Sequence, residues 1–350
     1  MSQTRDLLTV SLLPGVTPRA VRELRGRPEI DFSRPRTLEG FVGEDALHEL
    51  LNGKAAARAE GELQRAQAQG ARLLGLDDPD YPAALRATYD PPPVLFVRGT
   101  LTANPVVAAV AVVGARAATP AGRAFARSLA RDLAGAGLEV VSGLARGIDG
   151  EAHRGALEAK GRTLAVLGSA LDHIYPPEHA RLADEIAARG GALVSEFPFG
   201  TGPKPHHFPQ RNRTIAGLAQ AVVVVEAKER SGALVTARFA AEQGREVLAV
   251  PGHPTEPLAA GTNALLRDGA ALVRSVADVA EALGLVTTIT TSDGPTGDDI
   301  LDSLRRDRPL GLDELQARCG RPVGDLLARL SLLEVEARVR RLPGPAYLKA

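Results

Sequence analysis

The chain has 350 residues, of which 44% are hydrophobic, and this is enough for two or three domains with a large core. Its 42 basic residues balance 42 acidic ones, which argues against a protein that coats nucleic acid by bulk charge but leaves room for a local basic site. Cys319 is the only cysteine, which excludes an internal disulfide and a cysteine-based zinc cluster.

The N-terminal stretch MSQTRDLLTV has no long apolar run after a basic start, so we expect no signal peptide. No segment has the apolar length that a membrane span needs, and we expect no membrane contact. The cytoplasm is the expected compartment, and it fits the lone cysteine.

Residues 1–75 show four short helical patterns, each closed by a glycine, which predicts an N-terminal helical domain. The patterns are LLTVSLLPG, TPRAVRELRG, EDALHELLNG and AAARAEGELQRAQAQG. The stretch LLPGVTPRAVRELR has a partial likeness to a SAM or helix-hairpin-helix module, which grips phosphate through backbone amides. Thr17 stands where the hairpin would have its second glycine. Pro18 suits the first position of an ordinary helix. A small helical module that only packs on the rest of the protein is therefore the alternative.

Residues 76–286 contain apolar runs that alternate with helical stretches. The runs are VVAAVAVVG, LEVVSG, TLAVLGS, ALVSEF, AVVVVEA and EVLAVPG. Continuous apolar strands joined by helices predict a parallel sheet covered on both faces, hence an α/β domain with a doubly wound, Rossmann-like sheet. Ligands of such sheets bind at the carboxyl ends of the strands.

Residues 287–299 are rich in Gly, Asp and Thr and predict a linker. Residues 300–350 then show three helical patterns followed by VRRLPGPAYLK, which predicts two short strands around a turn and thus a winged helix. From Ile300 on, the chain has 10 basic and 7 acidic residues, so duplex DNA and a docking protein are both open as partners of this domain.

The first strand of the sheet ends in VVGARAATPAGR. Neither G-x-G-x-x-G nor a P-loop motif occurs, so we expect no dinucleotide and no other cofactor. Gly114, Arg116 and a helix start at Thr119 predict an anion site. A surface arginine in a plain loop is the alternative.

The second strand ends in VVSGLARGIDGEAH, where Ser142 and Gly143 are expected to expose backbone amides. Asp149 and His153 lie four apart on the next helix and share a face. They fit half a metal site, an acid/base pair or a structural contact, and the structural interpretation is favoured because no third ligand lies nearby.

Residues 197–225 contain no acidic residue but include Lys204, His206, His207, Arg211 and Arg213. Four aromatic residues lie on the loops at this end of the sheet, namely Tyr175, Phe197, Phe199 and Phe208. Cations interleaved with aromatic rings are typical of a groove for single-stranded nucleic acid, in which phosphates pair and bases stack. A metal site on the adjacent histidines is the weaker interpretation, because the stretch offers no carboxylate or thiol.

The fifth strand leads into AVVVVEAKERSGALVTARFA. Ser231 and Gly232 open a helix there, and they predict a further phosphate site rich in backbone amides. A plain N-cap is the alternative.

Six motifs in this order resemble the DNA-processing protein family DprA, also called Smf. They are GAR, SGLARGIDGEAH, YPPEH, SEFPFG with FPQRNRTIAG, SGALVTARFA, and VPG with GTNALLRDGA. The resemblance is dense over about residues 75–280. It implies a Rossmann-like domain that binds single-stranded DNA, forms a homodimer and helps load the recombinase RecA during natural transformation.

The resemblance also implies site residues. Phosphate contacts are implied for Gly114, Arg116, Ser142 and Gly143. Single-stranded DNA contacts are implied for Lys204, Phe208 and Arg211, with support from Asn212 and Arg213. The implied self-association surface includes Thr262, Asn263, Leu265, Leu266, Ala270 and Leu272.

The leading hypothesis is a non-enzymatic protein that binds and protects single-stranded DNA without sequence preference and needs no metal. The alternative is a nucleotide phosphoribohydrolase of the Lonely-guy type, whose P-G-G-x-G-T-x-x-E turn supplies a carboxylate. Phe239 stands at that position here, which leaves Glu226 and Glu196 as candidate acids. A scaffold that acts mainly through partners is the third hypothesis.

Overall fold

The structure is a computed structural model that describes residues 2–105, 107–285, 298–304, 309–336, 338–342, 344 and 346–349. It divides the chain into two compact units, Met1–Thr288 and Ile289–Ala350. All but the last two residues of the predicted linker, 287–299, lie outside the described residues. Within the described part of the chain, no helix combines the length and apolar character needed to cross a membrane.

The N-terminal helices pack directly on the large sheet. They are α1 (Ser2–Ser11), α2 (Pro18–Arg25), α3 (Glu44–Leu51) and α4 (Lys54–Ala68), and β1 (Ala71–Gly75) follows them. Leu7 and Leu8 belong to the same buried cluster as Leu74 and Val97 of the sheet, and the Glu62 carboxylate accepts the Phe199 N–H at 2.8 Å. The boundary predicted after residue 75 is therefore not a break in packing.

Thr17 is the N-cap of α2, and its hydroxyl accepts the Ala20 N–H at 3.2 Å. Val21 and Leu24 on this helix are buried. The Thr17 hydroxyl thus caps the helix where a hairpin would have its second glycine, which favours the packing-module interpretation of this stretch.

The remaining strands of the first unit are β2 (Val94–Gly99), β3 (Ala109–Val113), β4 (Glu139–Ser142), β5 (Thr163–Leu167), β6 (Ala192–Ser195), β7 (Ala221–Val224), β8 (Glu246–Ala249) and β9 (Ala271–Leu272). The helices are α5 (Ala83–Arg86), α6 (Pro120–Gly135), α7 (Ile148–Glu158), α8 (Ala180–Ala188), α9 (His207–Leu218), α10 (Gly232–Glu242), α11 (Ala260–Arg267) and α12 (Val276–Ala282). Every residue of β3 to β7 is buried, as their apolar runs predict.

The strands form a nine-stranded sheet in the order β1-β2-β6-β5-β4-β3-β7-β8-β9. Pairing is parallel from β6 to β9, whereas β2 is antiparallel to both β1 and β6. After β3 the chain winds to one side through β4, β5 and β6, and it then returns to β7 on the other side of β3. The predicted doubly wound α/β fold is confirmed, and the strand order reverses between β3 and β7, where open sheets form a crevice.

The second unit contains α13 (Asp299–Ser303), β10 (Leu310–Gly311), α14 (Leu312–Cys319), α15 (Val323–Val335), β11 (Val339–Leu342) and β12 (Ala346–Lys349). Its antiparallel strands have the order β10-β12-β11. Leu301, Leu315 and Leu330 lie at the centre of a separate small core. This arrangement confirms the predicted winged helix.

Candidate functional site

A cleft of about 310 Å³ opens at the carboxyl ends of β3 and β7. Residues that follow β3 and β7, the start of α7 and one side of α9 line it. Its charged lining residues in the described chain are Arg116, Asp149, Arg211, Lys228 and Arg230. Four cations against one carboxylate make this cleft locally basic in a chain whose formal net charge is zero.

The segment FPQRNRTIAG lies within helix α9, so Phe208 is on a helix and not on a loop as expected. Successive residues of a helix are rotated by about 100°. Arg211 and Arg213 are two positions apart and so point to opposite sides of α9. Only Arg211 reaches the cleft.

Arg211 is 4% exposed and contributes to the cleft lining. Its Nη1 donates to the Val166 carbonyl at 2.8 Å, and its Nε has no hydrogen-bond partner. Burial lowers the pKa of Arg211 to about 10, against the opposing effect of Asp149. The side chain therefore stays charged at neutral pH and presents a desolvated cation to the cleft.

Gly143 makes room for that guanidinium, because a Cβ atom at this position would lie 1.7 Å from Arg211 Nη1. The Gly143 N–H already donates to Asp149 Oδ2 at 3.2 Å, and the Ser142 hydroxyl donates to the Val112 carbonyl at 2.6 Å. The Gly143 amide is thus already paired, and both residues are buried, in contrast to the prediction that Ser142 and Gly143 expose backbone amides to phosphate. Their roles are to join β4 to β3 and to leave space for Arg211.

Arg116 and Phe208 come together at the mouth of the cleft, which Gly114 also lines. The Arg116 guanidinium carbon lies 4.8 Å from the centroid of the Phe208 ring. The centroids of the Tyr175 and Phe208 rings are 5.9 Å apart. Arg116 is exposed and makes no ion pair with any carboxylate of the described residues. The expected combination of a free cation with an aromatic ring is present here.

The start of α10 also lines the cleft, through Ser231 and Gly232. The buried Ser231 hydroxyl oxygen has no hydrogen-bond partner. Asn212 donates its side-chain amide to the Gly232 carbonyl at 3.1 Å, so it fixes α10 against α9 and is not free for a ligand. This helix start combines unpaired donors with a favourable dipole for an anion.

Lys228 and Arg230 also line the cleft, and sequence reasoning did not select them. Both are exposed and lie in the stretch KERSG, soon after the carboxyl end of β7. Ligands of such sheets bind at the carboxyl ends of the strands, and this rule applied to β7 selects both residues.

The predicted anion site at the start of α6 is already filled by a side chain of the protein. The Glu226 carboxylate accepts the Thr119 N–H at 2.9 Å and the Thr119 hydroxyl at 2.5 Å. Gly122 permits this approach, because a Cβ atom there would lie 2.3 Å from the Glu226 carboxyl carbon. The expectation for the start of α6 is therefore wrong, whereas the N-terminus of α10, which lines the cleft, has no side-chain cap.

Arg213 belongs to a buried ion-pair network on the far side of α9. Its Nη2 lies 2.7 Å from Glu196 Oε2, and its Nη1 contacts Asp90. The side chains of Arg213 and Glu196 are only 10% and 4% exposed. Arg213 is therefore not available to DNA, in contrast to the prediction.

Two of the four loop aromatics are structural. Phe197 stacks on His207 with ring centroids 4.2 Å apart, and Phe199 packs edge-on against Phe96 at 5.6 Å. Lys204 is exposed but lies outside the cleft lining. No group of three or more metal-ligating side chains occurs among the residues that the structure describes.

His153 is fully buried and structural. Thr163 donates its hydroxyl to the Val140 carbonyl at 2.8 Å, so it accepts a hydrogen bond from His153 Nδ1 at 2.7 Å. Burial lowers the pKa of His153 to about 3, with a further effect of His179. Asp149 bonds to backbone instead, which settles the choice at these two residues in favour of structure.

The low pKa of His153 predicts acid lability. Between the unfolded pKa near 6.5 and the folded pKa near 3, the unfolded chain binds a proton that the folded chain excludes. Stability is therefore lost as pH falls through this window, by up to about 1.4 kcal/mol per pH unit for this one group. Urea unfolding at pH 7 and 5 should show a smaller loss for His153→Asn than for the wild type, and equal losses would contradict this role.

Two family models match the sequence. The model for DNA recombination-mediator protein A covers residues 72–284. The chain belongs to the DprA family. The DprA winged-helix model follows over residues 288–345. The family resemblance predicted from the six motifs is thereby confirmed.

Curated DprA relatives match over most of their length. Protein Smf of Escherichia coli is 42% identical over 284 residues, which are 78% of this chain and 76% of the relative. DNA processing protein DprA of Bacillus subtilis is 43% identical over 215 residues, or 61% and 72% of the two chains.

Two solved DprA structures share this fold. That of DprA from Streptococcus pneumoniae has a TM-score of 0.69 and 35% identity, and the match covers 79% of this chain and 95% of that one. That of DNA processing protein A from Helicobacter pylori, reported for its single-stranded DNA binding mode, has a TM-score of 0.54 and 30% identity over 61% and 95% of the chains.

The DprA resemblance also implied a self-association surface, and its residues differ in accessibility. Thr262 is buried and donates its hydroxyl to the Ala259 carbonyl. Asn263 exchanges two hydrogen bonds with the Gly252 backbone, and Leu265 packs partly on the core. Leu266 and Ala270 are half-buried, and Leu272 on the edge strand β9 is 44% exposed. Of these six residues, Thr262 is the one that is buried, and Leu272 is the most exposed.

Proposed function

We propose that this DprA-family chain binds single-stranded DNA without sequence preference in the cleft between β3 and β7. The observation that carries the proposal is the placement of Arg116, Lys228 and Arg230 around a cleft that contains an aromatic ring and one buried carboxylate. These groups recognise phosphate and the flat faces of bases, which every sequence offers. The single-stranded DNA binding reported for the Helicobacter pylori relative supports the assignment.

The uncapped N-terminus of α10 is the proposed binding site for one phosphate. The Ser231 hydroxyl at this helix start and the nearby Arg211 Nε are buried and lack hydrogen-bond partners, and Arg230 directly precedes Ser231. Arg116 covers the Phe208 ring, with its guanidinium carbon 4.8 Å from the ring centroid. A phosphate that attracts this guanidinium would uncover the ring, so that one base can stack on it.

A hydrolase of the Lonely-guy type is the less favoured function. Glu226 caps α6 and Glu196 pairs with Arg213, so both candidate acids already serve the fold. Phe239 occupies the position of the missing acid. We expect no base release when purified protein is incubated with nucleoside monophosphates, and measurable release would favour the enzyme.

Binding to fluorescent oligothymidylate tests the proposal directly. If three phosphates are seated, the logarithm of the association constant should fall with the logarithm of salt concentration with a slope of about −2. Oligomers of thymidine and cytidine should bind within about threefold of each other, because backbone contacts do not read sequence. An absence of binding at low salt, or a strong base preference, would contradict the proposal.

We propose further that the bound strand is protected and passed to the RecA recombinase during natural transformation, as the family resemblance implies. The test is the DNA-dependent ATP hydrolysis of RecA on limiting single-stranded DNA. The protein should shorten the lag before hydrolysis begins, and an unchanged lag would remove RecA loading from its function. The cytoplasm stays the compartment predicted from the sequence.

Self-association through the β9 edge and α11 is also proposed, since Leu272 is exposed at an open sheet edge. Leu272→Asp should convert a dimer to a monomer in sedimentation velocity, because it places a charge in an apolar contact. Leu51→Asp is the matched control, since Leu51 is 56% exposed on α3, and it should leave the dimer intact. A wild type that sediments as a monomer at all concentrations would reject the proposal.

A further inference from the structure

Helix α15 occupies the position of the recognition helix in the C-terminal winged helix. The Gly320–Pro322 turn joins it to α14, as in a helix-turn-helix. Proteins that use this motif on duplex DNA place the second helix in the major groove, where its side chains contact bases and phosphates. The charge of α15 therefore decides what this domain can contact.

The charges of α15 do not suit DNA. Arg329 is its only basic residue, and Arg329 Nη2 lies 2.6 Å from Asp298 Oδ2. Its exposed charged residues are Asp325 and Glu334, whereas the following Glu336 pairs with the exposed Arg338, whose Nη1 lies 3.7 Å from Glu336 Oε2. Carboxylates at these positions repel a phosphate backbone.

The outer face of α15 is uncharged and largely apolar. At about 100° per residue, five exposed residues fall within an arc of about 140°. They are Leu327, Ala328, Ser331, Leu332 and Val335. Leu332 and Val335 are 56% and 87% exposed. The core of the domain takes the opposite face through Leu326, Leu330 and Leu333, so these outer residues have no packing role in it.

We propose that this face docks a protein segment whose apolar side chains are flanked by lysine or arginine. Apolar contacts would cover Leu327, Leu332 and Val335, while the basic flanks would pair with Asp325 and Glu334. An antiparallel α15 from a second copy fits poorly, because Asp325 would face Glu334 or Glu336 of that copy. The acidic rim thus selects a basic amphipathic partner over both duplex DNA and self-pairing.

The test uses the full chain and a fluorescent amphipathic peptide of about 18 residues, which covers the 13-residue helix α15. The peptide carries leucines at helical spacing between flanking lysines, and a second peptide has glutamates in their place. We expect the lysine peptide to bind about tenfold more tightly than the glutamate peptide. Leu332→Ser with Val335→Ser should reduce that binding at least tenfold, whereas Leu51→Ser should not change it.

Reversing the charges of Asp325 and Glu334 distinguishes a specific site from a general attraction of the basic peptide to acidic residues elsewhere on the protein. Asp325→Lys with Glu334→Lys should weaken the lysine peptide and create binding of the glutamate peptide. Circular dichroism melts check that both double variants remain folded, which their exposed positions favour. Unchanged peptide preference in the reversed variant would overturn the proposal. So would a loss of duplex DNA binding, or of self-association, in the Leu332→Ser and Val335→Ser protein.

Discussion

Replacing Arg116 and Arg230 together with alanine is expected to weaken the binding of oligothymidylate about a hundredfold, since each charge-assisted phosphate contact contributes roughly a factor of ten. Both guanidinium groups line the cleft, and neither forms an ion pair with a carboxylate of the described residues. The salt dependence should also become shallower by about 1.4 in slope, at about 0.7 per lost phosphate contact. Fluorescence anisotropy over a salt series measures both quantities.

Arg123→Ala with Arg238→Ala is the matched control for that experiment. Both residues are exposed on helices of the same unit, lie outside the cleft lining and have no ion-pair partner in the described chain. The control removes the same net charge, so it separates a local site from long-range attraction. Equal loss of affinity in the two double variants would mean that the cleft is not the binding site.

Arg213→Ala is expected to lower the free energy of unfolding by about 3–5 kcal/mol, because it leaves the buried Glu196 carboxylate without its partner. The folded fraction should still bind oligothymidylate normally, since Arg213 faces away from the cleft. Urea denaturation measures the first effect, and anisotropy at low denaturant concentration measures the second.

Arg127→Ala serves as the comparison for that stability change. Arg127 pairs with Glu158 on the surface, where the two side chains are 45% and 39% exposed. Its loss should cost less than about 1 kcal/mol, as is usual for exposed ion pairs. If Arg213→Ala proved as stable as the wild type but no longer bound DNA, Arg213 would be a DNA-binding residue and not a structural one.

The apolar runs of β3 to β7 predicted the parallel sheet, because strands buried on both faces have few polar residues. The ends of those strands also indicated Arg116, Phe208 and Ser231 as site residues. The sides of α9 were not predictable in the same way. The prolines of PKPHHFPQ suggested a loop, yet α9 starts at His207 with Pro209 in its first turn, where proline is tolerated. Because the segment is helical from His207 on, Arg211 and Arg213 point to opposite sides of α9.

The capping of α6 by Glu226 also depends on information that the sequence pattern lacks. The two residues that bond, Thr119 and Glu226, are separated by 107 positions. They meet only because β7 lies next to β3 in the sheet. Strand patterns predict that a parallel sheet forms, but they do not specify the order of its strands. They therefore do not show which helix N-terminus is capped by a side chain from another strand end.

The shared core of the N-terminal helices and the sheet has a consequence for how this protein can be divided. Leu7 and Leu8 cover the same buried cluster as Val97, and Glu62 satisfies a backbone amide near the end of β6. A fragment that starts at residue 76 would expose this apolar surface to water and leave the Phe199 amide unpaired. The first seventy residues therefore form part of the hydrophobic core of the larger unit, and a shortened protein that lacks them would need polar replacements on the surface that they cover.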